Sequence, residues 1–293
     1  MINQQQIELT AERKKLISIL VLLKETWNLY RNYLGVLIGI MLVPTVIGLI
    51  GAIFSAYGKA GAGGPIVAAI IVILGIILMV GKVIISFSSL LASLYAIKER
   101  TGISESYRWA ARNFFSYAWI SILAMLIVMG GFVMGIIPGL IFSVWFVFAV
   151  YIFVVENQRG FSALLKSKEY ARGYWWPIFG RTLISTLISL IVYAILLLTL
   201  LLNKIAGEII VYIVQIFLTP FLVVYLYQLY KNLTEIKPEL AMTVVVNKKG
   251  FFIFSAALGF VVLVVLPIVI IGLAKIRSNA QKIINQQRSE VRY

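Results

Sequence analysis

Charge is absent from six long stretches of this sequence, and that absence restricts the chain to one class of fold. Between Arg31 and Lys59 lie 27 uncharged residues, between Lys59 and Lys82 22, between Arg181 and Lys204 22, between Glu208 and Lys231 22, and between Lys249 and Lys275 25. About 20 apolar residues carry a helix across the hydrocarbon core of a bilayer, so each of these stretches is one crossing. The interval from Arg112 to Glu156 holds 43 uncharged residues, enough for two crossings, with the turn supplied by Gly130-Gly131 through Pro138-Gly139. Seven spans are expected, at roughly 34–56, 65–88, 115–134, 138–155, 182–203, 209–230 and 250–274.

Composition agrees. The 293 residues are 61% hydrophobic and only 13% charged, where a soluble domain carries about 25% charged residues. The chain contains no His, no Cys and no Asp, and eleven Glu supply all its side-chain carboxylates. Disulfides, His- or Cys-based metal and haem sites, His-dependent triads and thiol nucleophiles are thereby excluded, and no cofactor is implied. Lys and Arg total 26, for a net charge of +15. These residues lie between apolar runs, so their expected partner is the anionic headgroup layer of a membrane and not nucleic acid. Lys14-Lys15 is followed by only eight uncharged residues before Lys24, without a small-residue cleavage pattern, so no cleavable signal is expected.

Lys and Arg counts before, between and after the first six spans run 5, 1, 4, 0, 5, 1 and 4, with Lys82 inside the second span set aside. This alternation places the N-terminus in the cytoplasm. The seventh segment breaks it, because a crossing would put Lys275, Arg277, Lys282, Arg288 and Arg292 outside. Crossing competes with a bend back at Pro267; at 1.5 Å per residue its 25 residues reach about 37 Å, which favours crossing.

A basic, aromatic, amphipathic segment precedes three of the spans. Leu16, Leu20, Leu23, Trp27, Tyr30 and Leu34 share one helical face in the first. In the second, Ile103, Tyr107, Ala111 and Phe114 do so after Gly102. The third, Phe161 to Arg172, is looser. Each closes on arginine and aromatics: Arg31-Asn32-Tyr33, Arg112-Asn113-Phe114 and Arg172-Gly173-Tyr174-Trp175-Trp176. Arginine meets phosphate and the rings occupy the interfacial belt, so these segments are expected to lie in the membrane interface. Each then enters a hairpin whose outer turn holds glycine: Tyr57 to Gly64, Gly130 to Gly139, and Asn203 to Gly207.

The expected fold is all-α integral membrane, a six-helix core of three interfacial-helix-plus-hairpin units with an added C-terminal seventh transmembrane helix. Its divisions are a cytoplasmic N-terminus (1–33), a six-span domain (34–232), a cytoplasmic linker (233–249), the seventh helix (250–274) and a basic tail (275–293).

Few residues offer chemistry. Lys82 is the only charge well inside a span, and no Glu lies within one. A mid-membrane Lys costs on the order of 2.5–3.5 kcal/mol. The apolar run from Val83 to Ile97 lengthens its helix to about 33 residues, longer than the bilayer is thick, leaving Lys82 one or two turns from the cytoplasmic surface and within snorkelling reach. Headgroup or ligand contact and ion coupling are the alternatives. Ser86, Ser88, Ser89 and Ser93 share that helix, and such residues more often serve close helix packing than a groove. The Gly35-x-x-x-Gly39 and Gly131-x-x-x-Gly135-x-x-x-Gly139 spacings read the same way. Pro44, Pro220 and Pro267 should kink their helices, with Gln215 and Thr219 placed to bond the carbonyls that Pro220 frees. The densest polar cluster is Glu156, Arg159, Lys166, Ser167, Lys168, Glu169 and Arg172. It matches no catalytic motif, and Glu156 is expected to pair with Arg159 or a neighbouring base. Candidate lipid or ligand contacts are Lys82, Glu156, Arg159, Ser167, Arg172, Gln215, Arg31 and Arg112.

The segment Ile137 to Gly180 resembles the bacterial membrane-domain family named after glycerophosphoryl diester phosphodiesterase, and related inner-membrane families. The matching positions are Pro138 and Gly139 at the hairpin, Glu156 closing the span, Ser167 in the basic helix, and Arg172, Gly173 and Trp176 after it. Leu22 to Arg31 resembles the start of such domains, so the likeness covers about residues 16–232. It implies a multi-pass protein of the bacterial cytoplasmic membrane. The family's hydrolytic chemistry resides in a fused barrel, for which this chain has neither room nor the His, Asp or paired Glu. The seventh helix and basic tail depart from the family pattern.

These observations point to a protein without catalytic activity that works by lipid contact, scaffolding or binding of partner helices, including a second copy of itself. The alternative is a transporter or flippase for a small molecule or lipid, with a groove near Lys82 and Gln215 between the second, fourth and sixth helices. A cysteine added beside Tyr293 in this cysteine-free chain is expected to react with an impermeant maleimide applied outside intact cells; protection would show that the seventh segment turns back.

Overall fold

The computed structural model describes residues 15–59, 64–202, 204–241 and 250–290. The chain before Lys15, the centre of the first outer turn, Asn203, the second half of the 233–249 linker and the end of the basic tail lie outside the described residues. Among the described residues all regular structure is helical, and seven helices are long and apolar enough to cross a membrane. The chain is an all-α multi-pass membrane protein.

Three hairpins form the body. Helix α1 (Ile19–Lys59) pairs with α2 (Gly64–Glu99). Helix α3 (Ile103–Met134) turns at Gly135 into α4 (Ile136–Phe146), which continues after a break at Val147-Phe148 as α5 (Ala149–Glu156). Helix α6 (Phe161–Ala171) leads into the third hairpin, α7 (Trp175–Leu202) and α8 (Lys204–Ile236). After a short α9 (Pro238–Ala241), the seventh span is α10 (Gly250–Phe260), a π-turn (Val261–Val265) and α11 (Leu266–Glu290). The helical run continues through Pro267 without turning back. The π-turn ends just before Leu266-Pro267, where the proline ring would crowd the carbonyl four residues earlier in a regular α-helix.

The amphipathic lead-ins take a different form from separate interfacial helices. The first two run unbroken into their spans, because no glycine or proline interrupts Ile19 to Val43 or Ile103 to Met129 except Gly35 and Gly39, which the helix tolerates. The third stands apart: Gly173, at φ 81°, takes a left-handed conformation that breaks the chain between α6 and α7. Nor does α6 lie on a surface. Ala163 through Ser167, Tyr170 and Ala171 are all buried, on its polar as well as its apolar face.

Burial is concentrated at the end of the bundle where α1, α3 and α7 begin, the base. Leu22 to Met41 of α1, Ser88 to Ile97 of α2, and Val223 to Leu233 of α8 supply core residues around α5 and α6. Beyond them the hairpin ends expose apolar side chains, from Ile66 to Phe87 on α2 and Leu183 to Leu202 on α7. In a bilayer these faces meet lipid tails. The seventh helix joins the body where glycines let backbones touch. A Cβ on Gly130 would lie 1.6 Å from the Ser255 carbonyl oxygen, and one on Gly259 2.0 Å from that of Leu126. The Ser255 hydroxyl donates to the Ile127 carbonyl at 2.8 Å. Gly131 and Gly139 let α3 and α4 pack on Phe142 and Phe132, and Gly39 accommodates Ile103; Gly35 faces open space.

Gly130→Ala should therefore destabilise the protein by about 1–3 kcal/mol through overpacking, while Gly35→Ala should be neutral or stabilising by up to ~1 kcal/mol through helix propensity. Thermal melts of the two variants in one detergent check the difference.

Candidate functional site

Two polar sites stand out, one buried in the base and one open between helices nearer the hairpin ends. The first is built on Glu156, the last residue of α5. Its carboxylate forms an ion pair with Lys166 of α6. The phenol of Tyr170, one turn further along α6, donates to Glu156 Oε1 at 2.9 Å, and that of Tyr230 on α8 donates to the same oxygen at 2.6 Å. The side chains of Lys166 and Glu156 are only 2% and 9% exposed. Burial, and next the Glu156 charge, hold the Tyr170 phenol well above its ordinary pKa, so it stays a donor. Both carboxylate oxygens are thus occupied, one by an ammonium and one by two hydroxyls.

Neighbouring contacts lock the same corner. Ser167 is fully buried and its hydroxyl accepts the Phe148 N–H at 3.2 Å, where the break between α4 and α5 leaves that donor without a helical partner. Lys237, following α8, donates to the carbonyls of Glu169, Tyr170 and Arg172 at 2.7, 3.1 and 2.6 Å, covering the C-terminus of α6. Burial pulls its ammonium below the ordinary lysine pKa, against the opposing pull of Glu169 and Glu239. The Lys168 ammonium lies 5.0 Å from the Trp145 ring and 5.1 Å from that of Phe252, tying α6 to the seventh helix.

Arg159 does not reach Glu156. Asn157 takes a left-handed conformation at φ 55°, ends α5 and turns the following chain outward. Arg159 is exposed, with Nη2 3.5 Å from Asn113 Oδ1. Arg172 is also exposed and pairs with Glu169 at 3.0 Å. Among the described residues the most deeply buried ion pair is Glu156–Lys166. Alternating charge along α6 reads as a solvated face; only the position of Tyr230 on a distant helix makes that face an interior.

The second site is a cavity of about 180 Å³ between α1, α2 and α8, lined by Lys82, Ser86, Thr45, Gln215 and Thr219 among apolar side chains. It brings Lys82 and Gln215 together, and its third wall is the first span in place of the fourth. The Lys82 ammonium reaches across to α8 and lies 5.0 Å from the Tyr212 ring centroid. Gly48 leaves room for it, since a Cβ there would lie 3.0 Å from Lys82 Nζ. Ser88, Ser89 and Ser93 bond the carbonyls one turn back in their own helix, outside the cavity.

Tyrosine hydroxyls from α3 and α1 bond backbone carbonyls near the prolines of the cavity region. Pro44 cannot bond the Ile40 carbonyl, and the Tyr107 hydroxyl on α3 donates to it at 2.7 Å. Beside Pro220, the Tyr30 hydroxyl donates to the Phe217 carbonyl at 3.2 Å. Gln215 and Thr219 instead face the cavity. The partly apolar faces of Tyr30 and Tyr107 matched the core pattern, which conceals what their hydroxyls do.

Arg31 and Arg112 are exposed at the base, as are their aromatic neighbours Trp27, Phe115 and Trp119. No cluster of three or more metal-binding side chains occurs among the described residues. Comparison with family models, curated proteins and solved structures finds no match for this chain.

Removing one member of the buried pair leaves the other charge uncompensated, at about 3–5 kcal/mol. Lys166→Met should cost that much, and a Lys166→Met/Glu156→Leu double variant should recover much of it. Melting temperatures of the single and double variants measure the coupling.

Proposed function

We propose that this protein is a non-enzymatic component of the bacterial cytoplasmic membrane, its N-terminus in the cytoplasm, that works by contact with anionic lipid. The observation that carries this reading is a threefold arrangement at the base. Arg31 with Trp27, Arg112 with Phe115, and Arg172 with Trp176 are all exposed; Phe115 is 84% and Trp176 74% exposed. Each aromatic lies three or four residues from its arginine in sequence, along the first turns of α1 and α3 and across the α6–α7 junction. A guanidinium beside an exposed indole or phenyl ring suits the boundary between phosphate headgroups and acyl chains.

The acidic centre supports the same reading from the other side. Glu156 is the less exposed of the two carboxylates in the polar cluster, and its oxygens are taken by Lys166, Tyr170 and Tyr230. A general acid or base needs an oxygen that reaches substrate, and here the carboxylate holds α5, α6 and α8 together. The likeness to the membrane-domain family of the glycerophosphoryl diester phosphodiesterases belongs to this proposal as well, since it rests on the same Glu156, Ser167, Arg172, Gly173 and Trp176. Lipid contact at the base leaves the exposed hairpin faces free for partner helices or a second copy of the chain.

Each juxtamembrane basic residue contributes about 1 kcal/mol of attraction to an anionic leaflet. An Arg31→Gln/Arg112→Gln/Arg172→Gln variant should therefore lose on the order of a hundredfold in preference for phosphatidylglycerol over phosphatidylcholine. Native mass spectrometry of lipid retained after detergent extraction reads that preference. Equal retention of the two lipids by the wild-type protein would refute the proposal.

A further inference from the structure

The cavity between α1, α2 and α8 presents a cation, Lys82, that enters no ion pair among the described side chains. The three ion pairs among them are Lys98–Glu99, Lys166–Glu156 and Arg172–Glu169, and none involves Lys82. The Tyr212 ring face, 5.0 Å from the ammonium, offsets only part of the cost of placing a lysine within a span. The remainder calls for a negative group. Space for one exists: about 180 Å³ is open beside the ammonium, where a single water needs only about 10–15 Å³. Gly48 keeps the approach clear, because any side chain there would begin 3.0 Å from Lys82 Nζ.

The surroundings define the rest of the ligand. Ser86, Gln215 and Thr219 offer neutral hydrogen-bonding groups, suited to the oxygens of a headgroup. Phe87 and Gln215 line the cavity and are also exposed on the outside of the bundle, so the cavity opens sideways between α2 and α8. Val83 and Ile84, one turn before Phe87 on α2, are exposed apolar side chains on the same side of that helix. One positive charge at the inner end, neutral donors beside it and an apolar track leading outward match a monoanion with a hydrocarbon tail.

We infer that the Lys82 cavity is a lateral binding site for a membrane amphiphile bearing a single negative charge, a fatty-acid carboxylate or a phospholipid phosphodiester. The site is separate from the arginines of the base, so the loss of either property leaves the other measurable.

The full-length protein in phosphatidylcholine vesicles is exposed in turn to diazirine-tagged oleate, phosphatidylglycerol and phosphatidylcholine, and the photolabelled peptides are mapped. Saturable labelling of segments 41–45, 86–90 and 212–219 is expected from at least one anionic probe, and the probe that labels identifies the source of the charge. Replacing the charge in Lys82→Gln, or filling the space in Gly48→Leu, should lower that labelling at least about fivefold, while Lys82→Arg retains it. Gel filtration of each variant shows whether it has folded. Equal labelling by the phosphatidylcholine probe, or unchanged labelling in a folded Lys82→Gln protein, would overturn the site. Glu208 precedes Tyr212 by one turn in sequence. Labelling that is absent from the wild type and gained in Glu208→Gln would show that the chain supplies its own anion, which also overturns it.

Discussion

Hydrocarbon offers no hydrogen-bond partner, so every polar group this chain carries into the membrane must be met by another part of the protein. Much of the architecture follows from that requirement. Thr26, Thr45, Ser88, Ser89 and Ser93 return their hydroxyls to carbonyls one turn back. Tyr107 bonds the Ile40 carbonyl that Pro44 leaves open, and Tyr30 bonds the Phe217 carbonyl beside Pro220. At the base the same rule joins helices distant in sequence: Glu156 needs Lys166, Tyr170 and Tyr230, and the end of α6 needs Lys237. Lys82 meets the face of the Tyr212 ring beside an open cavity.

This requirement also explains where the protein is packed. Lipid tails are as apolar as leucine, so burying leucine between helices gains little inside a bilayer. Buried residues accordingly cluster at the base, where polar groups and aromatic rings interlock, and the hairpin ends carry their apolar faces to lipid. Where helices do approach closely within the apolar region, they do so through small residues. The contact of Gly130 and Gly259 with the backbones of the seventh helix and α3 is the tightest of these, which makes that helix part of the body and not an appendage.

Much of the fold was legible because its signals are local and coarse. Uncharged runs of 22 residues or more mark spans wherever they occur, and the glycines and Pro138 between Gly130 and Gly139 mark the turn at Gly135. The candidate sites were less legible. Lys166 and Arg159 look alike in sequence, as neighbours of Glu156 on a basic segment. The left-handed Asn157 sends one outward, and Tyr230, some 74 residues downstream of Glu156, encloses the other. Lys82 and Gln215 could be singled out one at a time as polar residues in apolar helices. Their shared cavity depends on α1 and α8 packing against α2, which no local pattern encodes.

The sequence by itself determined the membrane-spanning class, the seven spans and the concentration of basic and aromatic residues at one end, because hydrophobic length and charge act on each segment separately. Only the tertiary structure decided which polar groups meet. It buried the Glu156–Lys166 pair, left Arg31, Arg112 and Arg172 exposed at the base, and turned Lys82 towards Tyr212 across an open space. Those outcomes depend on contacts between helices far apart in the chain, where the position of a partner and not the identity of a residue sets the environment of a charge.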